Sequence, residues 1–368
     1  MKKNVLYLAA GLLALASCSQ DETTGTDNGG SIRFRPAVGN VTRGPVITTD
    51  NITTFKVSSY VTGAAANFFT DLQVNKTGSS WNTAQVYYWP GTGTLNFFAY
   101  APVDVTTVTV SPTARAINNF SPAAKVAEQK DVVVAFATGT KAANENSGVP
   151  LTFKHALSQI EVKAKSANTT AYEIKVLGVK LGHISSTANF TFPTTVVTGT
   201  LPASHWTAPA TAKDYGTNLD ADLTLTSEVQ SITKSNFLMI PQQLTPWTKG
   251  TSADGAYIAV LCKICSKNGT NLTQIFPGAA DKFAYAAVPI STNWLPGKKY
   301  TYTLSFLGNN GAGNIDPNPT DPTDPENPNN PNVDPNPGQG GDSVLGGPIK
   351  FTVTVDDWDN LPEENMPL

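Results

Sequence analysis

The sequence predicts an all-β protein, two β-sandwich domains followed by an extended spacer and one last strand. Three observations carry that expectation. Charged residues make up only 14% of the 368-residue chain, against about 25% in an average globular protein. Thr, Asn, Ser, Gly and Pro take their place beside Val, Tyr and Phe, and β-branched and aromatic side chains suit a pleated, half-buried surface. Short apolar or alternating runs recur between turn-rich breaks, and none keeps a helical period for long.

Taken in order, Lys2 and Lys3 precede the apolar run Val5 to Ala16, a secretory signal too short to span a membrane as a mature helix. Leu15-Ala16-Ser17-Cys18 resembles the lipobox of bacterial lipoproteins, in which the cysteine is diacylated and becomes the new N-terminus. The alternative is an ordinary signal peptide with an unrelated cysteine. Ser19-Gln20-Asp21-Glu22 then resembles the surface-export tag of Bacteroidetes lipoproteins.

Residues 19–31 read as a polar tether, and Ile32-Arg33-Phe34-Arg35 as a short alternating strand reaching Val41-Thr42-Arg43-Gly44. Strand-like runs follow at Phe55 to Val61, Gln85 to Trp89, Leu95 to Tyr100 and Asp131 to Ala137. The tract Val86 to Tyr100 reads as two strands around the turn Pro90-Gly91. The Gly- and Asn-rich break at 139–148 is the expected domain boundary, giving domains of 44–148 and 149–308. Pro150 to Ala164 opens a second set, and strand-like runs follow at Tyr172 to Leu181, Asn189 to Phe192, Leu219 to Leu225, Asn236 to Ile240, Tyr257 to Ile264 and Lys299 to Phe306.

Residues 309–347 hold eight Pro, seven Gly and nine Asn, with Asp-Pro at 316, 321, 324 and 334. Such a composition lacks the apolar residues for a core and is expected to stay extended as a spacer. After it, the segment 348–368 opens on an unbroken alternation. Ile349, Phe351, Val353 and Val355 fall on one face, and Lys350, Thr352, Thr354 and Asp356 on the other. A lone strand is unstable in water, so this one must join a sheet, either its own or another molecule's.

Together these residues resemble a fimbrillin, the subunit type of the type V pili of Bacteroidales. The resemblance rests on the lipobox at Cys18, Thr42-Arg43 after a short strand, Tyr88-Trp89-Pro90, and Phe97-Phe98-Ala99-Tyr100. Later it rests on Phe153-Lys154-His155-Ala156-Leu157-Ser158, Trp294-Leu295-Pro296-Gly297-Lys298-Lys299-Tyr300, and Phe351-Thr352-Val353-Thr354-Val355-Asp356-Asp357-Trp358. It implies two transthyretin-like β-sandwiches and a structural subunit of a cell-surface fimbrium, acting in adhesion and biofilm formation. The precursor would be an outer-membrane lipoprotein with signal peptide 1–17, lipidated and palmitoylated at Cys18. An arginine-specific protease would remove the propeptide 18–43 by cutting after Arg43, leaving Gly44 as the new N-terminus. Of the four arginines, Arg35 precedes a proline and Arg33 lies inside the strand pattern, whereas Arg43 sits in a Gly-bounded turn open to a protease. In the family the C-terminal strand is donated to a neighbouring subunit, which assigns that role here to Ile349, Phe351, Val353 and Val355. The implied partners are other fimbrial subunits, as a homo- or hetero-polymer. The long Asp-Pro spacer departs from the compact members and leaves stalk, tip and accessory positions open.

Other functions find little support. A formal charge of −3 argues against a nucleic-acid partner. His155, His183 and His205 show neither metal-ligand spacing nor a nucleophile turn, so no enzyme, metal or cofactor is expected. Cys262 and Cys265 lie three apart in a strand pattern and so point to opposite faces, as packing residues. The rival reading is a lipid-anchored surface protein that binds a glycan or host protein through Trp81, Trp206 or Trp247. Asp342-Ser343-Val344 matches a Bacteroidetes O-glycosylation pattern at Ser343.

Overall fold

The computed structural model describes residues 30–38, 46–250, 254–308, 311–320 and 330–358. The strands of the first half are β1 (Phe34–Val38), β2 (Thr54–Val61), β3 (Phe69–Thr77), β4 (Ser80–Thr83), β5 (Leu95–Ala101), β6 (Val108–Val110), β7 (Arg115–Phe120), β8 (Val133–Gly139) and β9 (Val149–His155). Then come β10 (Ser158–Ser166), β11 (Tyr172–Thr191), β12 (Ala210–Thr224), β13 (Gln230–Ser231), β14 (Phe237–Met239), β15 (Tyr257–Asn268) and β16 (Asn271–Phe276). The last are β17 (Ala284–Pro289), β18 (Lys298–Phe306), β19 (Asn314–Ile315) and β20 (Lys350–Asp357). The all-β expectation holds.

The first sheet has the order β1-β9-β8-β5-β2-β3-β4. Its central strand β5 is apolar on both faces because both are covered. Phe97 and Ala99 face a core with Phe34, Phe55, Val149 and Phe153, while Phe98 and Tyr100 face Phe136, Phe190 and Phe192 on the other side. A second sheet runs β13-β10-β18-β20, with β14 also on β10, and a third runs β19-β17-β15-β11-β7-β6. These two enclose the largest core, from Ile160, Tyr302 and Phe306 to Val176, Val260 and Ala286.

Four sequence expectations change here. Residues 86–89 do not form a hairpin with β5; they pair instead with the start of the described chain, through Ile32 N–H to Tyr87 O (2.7 Å) and Trp89 N–H to Gly30 O (2.9 Å). The break at 139–148 is a connection within the first sheet, because β8 precedes it and β9 follows it as direct neighbours. A single helical turn, Lys141–Asn144, fills it, with Thr140 accepting the Ala143 N–H. After β9 the chain passes to the second sheet, between His155 and Ser158. The runs at Tyr172 to Leu181 and Asn189 to Phe192 are parts of one 20-residue strand, β11, which pairs with β15 at one end and β7 at the other. Finally, residues 311–320 and 330–347 are folded onto the third sheet: β19 is its edge strand, Ala312 and Val344 are buried in the main core, Val333 is buried on the sheet's other face, and Asp316 forms an ion pair with Lys180 of β11. Sparse apolar residues and two paired charges, Asp316 with Lys180 and Asp342 with Lys249, anchor a segment whose composition argues for an extended chain.

Candidate strand-exchange interface

β1 is an edge strand and pairs in parallel with β9, Phe34 opposite Val149 and Val38 opposite Phe153. Ile32, Phe34 and Val38 face inward and are buried, while Arg35 faces solvent. The Phe34 ring meets Phe55 and Phe97 edge-on, at 6.0 and 5.7 Å between centroids. On the outer side the Arg33 guanidinium donates to the Glu145 carbonyl (3.0 Å). Each fully buried apolar side chain contributes about 1.5–3 kcal/mol, so β1 is held by several such contacts and one ladder. A groove of about 660 Å³ runs along it, between β1 and β4.

Cys18, Arg43 and Gly44 lie outside the described residues. Where the chain resumes, Val46 is buried and the Ile47 N–H donates to Asp131 Oδ2 at 3.0 Å. The same oxygen lies 2.8 Å from His155 Nδ1, and both side chains are wholly buried. The His155 ring stacks on Trp358, with centroids 4.2 Å apart and planes within 5°. Asp131 therefore joins the start of one segment to the end of another.

β20 pairs antiparallel with β18 of its own chain, from Lys298 opposite Asp357 to Ser305 opposite Lys350. Its alternation matches the sequence pattern, but burial fades along it. Ile349 is buried, Phe351 and Val353 are half-buried against the main core, and Val355 is 52% exposed. β20 is the last strand of its sheet, so its outer row of backbone groups has no neighbour there. The strand is pinned at its end: Trp358 N–H donates to Gly297 O (2.7 Å), Lys298 pairs with Asp357, and the Trp358 ring is 1% exposed.

The remaining candidates separate. His183 faces Asp254 at 3.5 Å on the surface, and His205 Nδ1 lies 2.8 Å from the Thr191 carbonyl. No group of three or more His, Cys, Asp or Glu residues among those described could hold a metal ion. Cys262 is buried and Cys265 half-buried, and neither is in a disulfide. Trp206 and Trp247 are buried, which removes them as sugar-stacking platforms, and Trp81 is half-buried against Phe55. Ser343 is exposed, and its backbone bridges to Asn314. The Asp131–His155–Trp358 contact and the Lys180–Asp316 pair escaped the sequence reading, because nothing local marks partners so far apart in the chain.

The sequence pattern of the fimbrillin-like family matches residues 40–318. No curated protein matches the chain. Among solved structures, a fimbrial protein from Bacteroides vulgatus shares the fold with a TM-score of 0.51 at 14% identity, covering 89% of this chain and 99% of that one. A proposed cell adhesion protein from Bacteroides ovatus aligns with a TM-score of 0.47 at 16% identity, covering 92% and 100%. With three quarters of its length matched to the family pattern, and a fimbrial protein sharing its arrangement of strands, the chain belongs to the fimbrillin-like family.

Proposed function

We propose that the chain is a structural subunit of a cell-surface fimbrium, exported as a lipoprotein acylated at Cys18 and held at the outer membrane. An arginine-specific protease then cuts after Arg43, β1 leaves, and the subunit polymerises with other fimbrial subunits by strand exchange to mediate adhesion and biofilm formation. The observation that carries this reading is a match between the two end strands. Ile32-Arg33-Phe34 is followed at the same spacing by Val38, and Ile349-Lys350-Phe351 by Val355. Loss of β1 would bare the β9 edge and the Phe34 site between Phe55 and Phe97. Phe351 of a neighbour has the side chain to refill it, Ile349 and Val355 match Ile32 and Val38, and Lys350 replaces Arg33 near the Glu145 carbonyl. Repeated head to tail, such a contact is heterologous and open-ended, which makes a filament.

The experiment is N-terminal sequencing of protein sheared from cells, with its size on an unheated gel. A start at Gly44 within a high-molecular-weight ladder is the expected result, and Arg43→Ala should leave the protein lipidated and unassembled. A single species starting at Cys18 would overturn the reading. It would favour instead a lipid-anchored surface protein, a reading that the folded-back position of β20 on β18 supports.

A further inference from the structure

Outside the strand-exchange interface, one buried pair of reactive groups has no part in assembly. Lys180 in β11 and Asp316 just after β19 are both wholly shielded from solvent, and Lys180 Nζ touches Asp316 Oδ2. The Asn318 N–H holds the other carboxyl oxygen at 2.9 Å, and Asp214 holds the Asn318 amide at 2.8 Å. The ring of Tyr285 lies 4.4 Å from Nζ and that of Tyr257 5.9 Å, and the Tyr257 hydroxyl reaches the Asp316 carboxyl. Gly182, one turn of the pleat beyond Lys180, leaves the space that the Tyr257 ring fills; a Cβ there would fall 2.0 Å from Tyr257 Cζ.

Burial pushes the Asp316 carboxyl up, with the Lys180 charge opposing it. A neutral amine against a carboxylic acid is the reactive form of the two groups.

We propose that Lys180 and Asp316 condense into an intramolecular isopeptide bond. Nζ bonds to Asp316 Cγ, one Cγ–O bond breaks, and that oxygen leaves as water. The water carries two of the three protons of the original ammonium, and the third stays on the amide nitrogen. That N–H then has the Asn318 or Thr320 carbonyl to donate to, both of which already face Nζ. Atoms and charge balance with no oxidant or cofactor, and the closed site favours the side of the reaction that expels water. The Tyr257 hydroxyl is the group placed to pass the proton to the leaving oxygen. The product ties β11 to the segment that covers its sheet.

The test is a tryptic digest of the full chain after denaturation. Modified Lys180 resists trypsin, so segment 176–213 should appear joined to segment 300–350, lighter than their sum by one water. Lys180→Arg, which keeps the charge but cannot form this amide and restores a tryptic site, should release 176–180, 181–213 and 300–350 as separate peptides. Recovery of unlinked, unmodified peptides cut after Lys180 from the native chain would overturn the proposal. The readout is a peptide mass, so it stands or falls apart from filament assembly, and the native chain alone decides it if the variant does not fold.

Discussion

At the scale of single residues, Trp358 carries the anchorage of the last strand. Its ring stacks on His155 and its N–H is taken by Gly297, whereas Val355 three residues earlier is largely exposed. Removing a buried tryptophan costs about 3–5 kcal/mol, and here the loss falls on an edge strand with a single ladder. Trp358→Ala should therefore free β20 while leaving the rest folded, seen as rapid proteolytic loss of the C-terminal segment; unchanged resistance would refute the anchor. Glu161 sets an acid limit. Burial raises its pKa, but the hydrogen bond and charge of Lys299 at 2.9 Å, with Lys163 at 3.6 Å, outweigh that and hold it below the ordinary value. A carboxylate depressed in the folded state adds stability above its unfolded pKa and loses it as pH falls through the folded one. Stability should thus drop steeply below about pH 4.5, and Glu161→Gln should flatten that limb in denaturant titrations across pH. The partners of these charges were not legible in the sequence. Lys180 and Asp316 are separated by more than a hundred residues, and a lone Lys in a strand pattern gives no sign of a distant Asp.

At the scale of elements, legibility followed the alternation of side chains. β1 and β20 each have one covered and one open face, so a period of two shows plainly in their sequences. β3 hid because its pattern is broken: Asp71 takes a positive φ of 48° and the register with β2 shifts nearby, so Phe69 and Val74 are not two apart. β17 hid because Ala284, Ala286 and Ala287 give little apolar signal, although all are buried. β11 looked like two strands because Gly182-His183-Ile184-Ser185-Ser186 interrupts the apolar pattern; Gly182 instead admits the Tyr257 ring, as Gly178 admits Asn218. The β18–β20 ladder offers a test of donation. Thr303 and Thr352 are direct partners, so cysteines at both positions should form a disulfide that locks β20 onto its own sheet. If β20 is the donated strand, the oxidised protein should fail to polymerise and reduction should restore filaments. Filaments from the oxidised form would reassign the donor.

At the scale of the whole molecule, the two halves are joined by more than a connection. β7 of the first half pairs with the far end of β11, whose other end pairs with β15, so one sheet runs through both. Aromatic packing continues the join, with Phe98 and Tyr100 against Phe192. Thermal unfolding should accordingly give one cooperative transition with matching calorimetric and van't Hoff enthalpies. Two separated transitions would show halves that melt independently. The sequence suggested the fold class, but neither the full set of strands nor this sharing, because the Gly- and Asn-rich stretch at 139–148 resembles a domain break and is only a turn between neighbours.

The contacts around Asp131 have a geometric consequence for assembly. Ile47, shortly after the proposed cut, and Trp358, near the chain's end, both gather on the Asp131–His155 pair. A free subunit is thus a closed loop in outline, with its beginning and its end at one address. If filaments grow by the proposed exchange, β20 has to give up its ladder to β18, the Gly297 and Lys298 contacts and the His155 stack before it can reach a neighbour.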